Sequence, residues 1–322
     1  MYKKEILKLK DKVLNGYLLN KEEANYLIKI DNYYLEDILL ASRAIKDKYI
    51  GKRISLCSII SGKVGRCSED CKFCAQSAHY NTEIEETGLP TYEEFKNRAI
   101  ESESFGIKRF SLVSSGRYVD KSDFEIIVKY YTELKKESNI ELCASLGILD
   151  YEDLKKLKKS GVKRYHHNIE TSKRKFKDIC STHKYIDRIE TIKKAKRAGL
   201  KICSGGIIGM GESLEDRIEF IMELRELKVD SIPINILDPI KGTPLEKQDN
   251  LSEEEILKTL GVFRMVYPTV ELRFAGGRRM IKKLQIRGIE TSVNGMITGD
   301  FLTTIGNSIE EDLIMIRDYE IV

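Results

Sequence analysis

Gly65–Tyr80 reads GRCSEDCKFCAQSAHY and places three thiols, Cys67, Cys71 and Cys74, in a C-x3-C-x2-C run. No helix fits between cysteines this close, so the run is a loop. A structural zinc site takes four ligands, usually as two separated pairs, and a four-iron cluster ordinarily takes four cysteines. Three neighbouring thiolates therefore describe a cluster with one iron left open to chelate a small molecule; the alternative is a zinc knuckle completed from elsewhere. Phe73, just before the third cysteine, adds an aromatic face to the loop.

The loop follows a β-rich run, Ile54–Ile60, and precedes a helix start, Thr91-x-x-Glu94, whose hydroxyl and carboxyl suit a capping box. The same alternation continues along the chain. Further β-rich runs are Lys108–Val113, Ile140–Leu146, Lys163–Ile169, Lys201–Ile207, Ser231–Leu237, Val270–Phe274 and Thr291–Asn294. Helical stretches separate them, one opened by Ser252-x-x-Glu255, and several close on Gly106, Asn139, Gly161, Gly199 or Gly288 directly before the next run. Eight such units predict an α/β fold, a (β/α)8 TIM-type barrel, whose chemistry gathers at the C-terminal mouth of the strands. An open doubly wound sheet has the same periodicity.

Residues 1–52 read as helix only: one amphipathic segment stopped near Gly16, one opened by Asn20 with Glu23 three residues on, and one through LEDILLASRAIKDKYIG. They predict an N-terminal helical extension, with the barrel and a C-terminal helix occupying 53–322.

The 322 residues carry 55 Lys and Arg against 51 Asp and Glu, interspersed, so no basic block points to nucleic acid. No apolar run approaches the ~20 residues that span a bilayer. The N-terminus, MYKKEILKLKDK, alternates charge with Leu and Ile where a secretory core would be unbroken. A cytoplasmic protein without membrane contact is expected. Its seven cysteines, an odd number, suggest reduced thiols and metal ligation over a disulfide framework.

Strands buried on both faces should be continuous Val, Ile and Leu, yet almost every run has a polar or sulfur-bearing residue inside it: Cys57, Ser111, Cys143, Asn168 with Glu170, Cys203, Asn235 and Arg273. Unpaired polar groups in an apolar core are costly, so the pattern predicts a lined cavity along the barrel axis. Singly, Cys143 and Cys203 read as small buried hydrophobes. Arg273, in the short run VELRF, needs an anionic or metallic partner to be buried there. In CSGGIIGMGE, glycines such as Gly205 and Gly206 permit close backbone approach to a ligand, and the helix opened by Ser213 could receive a carboxylate or phosphate; a tight strand–helix turn is the plain alternative. His166 and His167 point to opposite faces of a strand and cannot easily share an ion, so they read as structural, whereas Asn168 and Glu170 share a face. Asn235 could pair with a urea or amide, or staple a loop.

CSEDCKFCAQSAHYNT, HHNIETS, KICSGGIIGMGE and PINILDPIKGTPL together resemble the biotin synthase family of the radical S-adenosylmethionine superfamily, from about Ile54 to near the C-terminus. Hydrogenase maturation and methylornithine-forming radical enzymes share the first motif but are not expected to carry all the others, and are the alternative enzymatic reading; a non-catalytic metal-binding barrel is a remoter one. The resemblance implies a (β/α)8 homodimer in which Cys67, Cys71 and Cys74 hold a [4Fe-4S] cluster whose open iron binds S-adenosylmethionine. A flavodoxin or ferredoxin would supply electrons, and a 5′-deoxyadenosyl radical would abstract hydrogen from dethiobiotin. An auxiliary iron–sulfur cluster would then supply sulfur. Asn168, Glu170 and Arg188 would contact the cofactor, together with Phe73 and the Gly205–Gly206 segment, and Asn168 and Asn235 would bind the substrate's ureido group. The family's [2Fe-2S] auxiliary site, three cysteines and an arginine, maps to Ser111, Cys143, Cys203 and Arg273, where position 111 lacks sulfur. Cys57 and Cys180 are left over, and the expectation is an alternative, four-iron cluster on Cys57, Cys143, Cys180 and Cys203 with Arg273 beside it. A two-iron site with Ser111 as ligand or neighbour is the other possibility.

Overall fold

The computed structural model of the protein describes residues 2–281, 284–299 and 307–322. Three helices come first: α1 (Tyr2–Leu14), α2 (Lys21–Lys29) and α3 (Leu35–Tyr49). The Asn20 box opens α2 as the spacing predicts, Asn20 Oδ1 accepting from Glu23 N at 2.8 Å while Glu23 Oε2 accepts from Asn20 N at 3.1 Å. One face of α3 buries Ile38, Ala41 and Ile45.

From Arg53 the chain alternates strand and helix: β1 (Arg53–Ser61), α4 (Tyr92–Ser104), β2 (Arg109–Val113), α5 (Lys121–Glu137), β3 (Glu141–Ser145), α6 (Tyr151–Ser160), β4 (Arg164–His166), α7 (Lys173–Ile179), α8 (Tyr185–Arg197), β5 (Lys201–Cys203), β6 (Gly206–Ile208), α9 (Leu214–Glu226), β7 (Ser231–Ile236), α10 (Glu253–Val266), β8 (Glu271–Phe274), α11 (Leu284–Thr291), β9 (Gly295–Ile297), α12 (Ile309–Met315) and β10 (Glu320–Ile321). The sheet runs β1 through β9 with every pairing parallel, and β9 returns to β1 through Ser55↔Gly295 and Cys57↔Ile297. That pairing closes a barrel of eight staves, β5 and β6 sharing one, and rules out the open sheet. β10 pairs with the start of β1 outside the ring.

Two strand expectations need correction. Thr291–Asn294 is not a strand: α11 runs through Thr291, Ser292 N and Val293 N both bond to Gly288 O at 2.8 Å, and the eighth stave begins at Gly295. Asn294 instead bridges, its Oδ1 accepting from Leu272 N at 3.0 Å and Arg264 Nη2 at 2.6 Å. Gly288 stops no helix; it lies inside α11, where a Cβ would meet Phe274 Cζ at 2.5 Å. The run Lys201–Ile207 is interrupted, because Gly205 comes so close to β7 that a Cβ there would lie 1.8 Å from Pro233 O.

Candidate active site

The connection from β1 to α4 carries the three-cysteine loop at the C-terminal mouth of the barrel, where chemistry in this architecture gathers. The loop is bonded to itself: Cys67 N to Gln76 O at 2.9 Å, Ala78 N to Cys67 O at 2.8 Å and Cys74 N to Cys71 O at 2.9 Å. It is also tied to the segment after α7. Lys72 N bonds Ile179 O at 3.0 Å, and the Asp70 carboxylate accepts from Ser181 N at 2.8 Å, Thr182 N at 3.1 Å and the Ser181 hydroxyl. Burial works to raise the Asp70 carboxyl, but the Ser181 and Thr182 donors hold it well below the usual carboxylate range.

Cys67, Cys71 and Cys74 all border a cavity of about 240 Å³, with Phe73, His166, Asn168, Glu170, His183 and Arg188 among its other walls. Three cysteines from one loop bordering one cavity fit a [4Fe-4S] cluster with one iron free. Across the cavity, Glu170 sits at φ +68°, a left-handed conformation that aims its carboxylate back toward Asn168. Asn168 Nδ2 donates to Glu170 Oε2 at 3.3 Å and Asn168 Oδ1 accepts from Gly205 N at 3.0 Å. Arg188, in the first turn of α8, reaches Asn168 O at 3.0 Å and Glu170 Oε1 at 3.3 Å. The three residues expected to contact a cofactor are thus one hydrogen-bonded wall.

Below that wall lies a second cavity, of about 290 Å³, inside the barrel. Cys57, Cys143 and Cys203 border it together with Ser111 and Arg273, and the first cavity shares its boundary at Phe73, Cys74, His166, Asn168 and Glu170. Burial pushes the Cys57 thiol up and the Cys143 thiol well above its ordinary value. Cys203 is instead drawn to about 7: burial raises it, but facing His166, with Arg273 and Arg164 nearby, outweighs that. Ser111 Oγ, Arg164 Nη1 and Arg273 Nε are buried without a hydrogen-bond partner among the described residues. Three thiols beside unpaired N–H and O–H groups fit an anionic iron–sulfur cluster, whose sulfides would receive those donors.

A belt of charge floors this cavity. Arg109 Nη1 meets Glu271 Oε1 and Oε2 at 2.6 and 2.7 Å, Arg109 and Arg164 each meet Glu141 Oε1 at 3.3 Å, and Arg273 Nη1 meets Glu271 Oε1 at 3.3 Å. Burial opposes ionisation of Glu271, yet Arg273 and Arg109 hold its carboxyl down at about 2. Arg109, Glu141, Arg164 and Glu271 went unread in the sequence. The available signal was charge recurring inside β-rich runs, as in KRFSLV and VELRF.

Other assignments change. Cys180 does not border the barrel cavity; it lies with Cys71 and His183 beside the loop, so the four cysteines expected on one auxiliary cluster are not brought together. Gly205 and Gly206 line neither cavity, and their missing side chains serve packing, since a Cβ on Gly206 would fall 2.1 Å from Glu170 O. The N-terminus of α9 is capped from within the chain by the Ser213–Asp216 capping box. Asn235 borders the barrel cavity and staples it, Nδ2 donating to Gly206 O at 3.0 Å and Oδ1 accepting from Gly276 N at 2.9 Å. His166 borders both cavities and is not merely structural. His167 is buried against Tyr165 and borders only the first cavity, its Nε2 without a hydrogen-bond partner among the described residues.

A closed parallel barrel with three cysteines at its mouth and an acid–amide–guanidinium wall opposite defines an enzyme of the radical S-adenosylmethionine superfamily. The superfamily's model matches residues 63–224, and a model described as the Biotin and Thiamin Synthesis associated domain matches 233–322. Biotin synthase of Clostridium botulinum (strain Hall) is 51% identical over 313 residues, covering 97% of this chain and 98% of that one; biotin synthase of Clostridioides difficile (strain 630) is 50% identical over 316 residues, 97% of each. The chain belongs to the biotin synthase family. Crystal structures of methylornithine synthase (TM-score 0.79, 23% identity, 90% of this chain and 85% of that one) and of HydG, a maturase of the [FeFe]-hydrogenase (TM-score 0.85, 19% identity, 99% and 75%), share the fold. Among the described residues no helix is long and apolar enough to cross a membrane.

Proposed function

We propose that this enzyme converts dethiobiotin to biotin by S-adenosylmethionine-dependent radical insertion of sulfur. The observation that carries the reading is the pair of cavities meeting at Cys74, Asn168 and Glu170, one bordered by the three-cysteine loop and the other by a second set of three thiols. When bound, the [4Fe-4S] cluster on Cys67, Cys71 and Cys74 supplies the electron that cleaves S-adenosylmethionine, and an auxiliary cluster supplies sulfur.

The remaining work falls to side chains. Arg188 Nη1 holds Glu170 and the Asn168 carbonyl together, which presents a carboxylate and an amide to an amino acid and a ribose. Asn235 uses one N–H of its amide in the staple, which leaves the other available to a ureido carbonyl. The apolar part of the barrel cavity, Ile59, Val113, Ile207 and Ile297, excludes water from a reactive carbon. Electrons from a flavodoxin or ferredoxin and a homodimeric assembly complete the reading.

The auxiliary ligands are Cys57, Cys143 and Cys203 with Arg273 alongside. Cys57 pairs with Arg109, two positions before the Ile59–Ser111 pair on the adjoining strands, and borders the same cavity as Ser111, so it is the candidate for the sulfur that position 111 lacks. Anaerobic iron and sulfide quantitation tests this: Cys57→Ala should lose auxiliary iron and Cys180→Ala should keep it. Auxiliary iron unchanged in Cys57→Ala would return the ligand role to Ser111, and a two-iron site with it. Biotin and 5′-deoxyadenosine, measured together in an anaerobic assay with reductant, S-adenosylmethionine and dethiobiotin, test the reaction itself; no biotin from protein loaded with both clusters would overturn it.

A further inference from the structure

Beside the cluster loop, Cys180 and His183, which have no role in the chemistry above, converge on the loop's Cys71. Cys71 Sγ, Cys180 Sγ and a ring nitrogen of His183 all lie within 4.8 Å of one another, and all three residues are buried. Cys180 Sγ is 3.2 Å from His183 Nδ1. The surroundings hold the set in place. Asp70 Oδ1 lies 3.2 Å from Cys180 Sγ, Phe176 packs edge-on against the imidazole at 5.5 Å, and Arg188 Nε donates to His183 Nε2 at 3.0 Å. Glu69 Oε2 touches the same Nδ1 and accepts from Thr182 Oγ1 at 2.9 Å, which steadies the imidazole.

We propose that Cys71, Cys180 and His183 form a mononuclear site for a thiophilic divalent cation in the cluster-free protein, its fourth position open to the cavity that Cys71 and His183 border. Two sulfurs, one imidazole nitrogen and a water are a tetrahedral zinc-type donor set, and metal–ligand bonds of 2.0–2.3 Å set its corners about 3.5 Å apart, close to the 3.2 Å between Cys180 Sγ and His183 Nδ1. Cys71 is shared with the three-cysteine loop, so ion and [4Fe-4S] cluster exclude each other. The ion takes both sulfurs as thiolates, releasing whatever proton they carry, and on Nδ1 it displaces the imidazole proton to Nε2, opening the Arg188 bond and the Glu69 contact. The site therefore holds the loop folded around an ion until cluster assembly reclaims Cys71.

The test uses full-length, cluster-free protein under anaerobic conditions, titrated with Co²⁺ and then Zn²⁺. One equivalent of Co²⁺ should bind with thiolate-to-metal charge-transfer bands of two-sulfur intensity and be displaced by one equivalent of Zn²⁺. Cys180→Ser and His183→Gln should weaken binding at least about tenfold, while Cys67→Ser and Cys74→Ser leave it within about twofold. Charge-transfer intensity of three sulfurs in the unmutated protein, or equal losses in Cys67→Ser and Cys180→Ser, would put the ion on the C-x3-C-x2-C loop and overturn the proposal. A second measurement stays decisive if a variant folds poorly. One equivalent of Zn²⁺ should retard [4Fe-4S] reconstitution in the unmutated protein and not in Cys180→Ala; equal retardation in both would also overturn it.

Discussion

Gly206→Ala is the substitution with the most direct bearing on the wall between the cavities. Its Cβ would lie 2.1 Å from Glu170 O and 2.7 Å from Glu170 Cα, distances that no real Cβ shows. Both contacts are backbone, so no side chain can rotate away. Restoring even a 3.0 Å contact moves the Glu170 peptide by about 0.9 Å (3.0 minus 2.1). The shift stretches the 2.8 Å bond from Ile207 N to Glu170 O and drags the Glu170 carboxylate off Arg188. Overpacking of this kind costs about 1–3 kcal/mol, which a barrel of this size withstands. A displacement near 1 Å of a positioning group costs about 100-fold in rate. The expected result is therefore folded protein with a full complement of iron and roughly 100-fold slower formation of both 5′-deoxyadenosine and biotin. Gly88→Ala, where nothing lies within 4 Å, is the control. Turnover of Gly206→Ala within about threefold of the control would refute the reasoning, as would a loss of activity that only follows lost iron.

Two further outcomes concern stability. Lys46 is buried in α3 with its ammonium over the Tyr319 ring at 5.0 Å, and burial lowers its pKa from 10.5 to about 8. That gap corresponds to about 3 kcal/mol spent keeping a buried cation at neutral pH. The cost is full below pH 8 and falls away as pH rises toward 10.5, so Lys46→Met should be more stable than the parent at pH 7, by up to roughly 6 °C in thermal midpoint, and converge with it near pH 10; an advantage independent of pH would contradict this. Arg278 is buried with Nη1 on Gln285 Oε1 at 2.7 Å and Nη2 on the buried Asp312 carboxylate. Arg278→Met leaves that carboxylate unpaired and should cost about 3–5 kcal/mol, read as a lower thermal midpoint that Asp312→Asn partly restores in the double variant.

Sequence alone determined the components. Period-two runs between capped helices specify an α/β chain because backbone and capping preferences act within a few residues, and Thr91–Glu94 and Asn20–Glu23 form the boxes their spacing predicts. The C-x3-C-x2-C loop was legible for the same reason, since its three sulfurs are adjacent in the chain. Tertiary structure decided what depends on residues far apart. Barrel closure rests on β9 meeting β1, some 240 positions away in sequence (295 minus 55). The identity of the eighth stave turned on Asn294 finding Arg264, and the duty of Gly206 on Glu170 carrying its carbonyl into contact. Cys180 could be counted from the sequence and not located, because a thiol's partners are chosen by where α7 ends in space. The charged belt escaped for a related reason: Arg109 and Glu271 are each improbable in a buried strand alone, and become tolerable only when the closing barrel brings them within 2.6 Å.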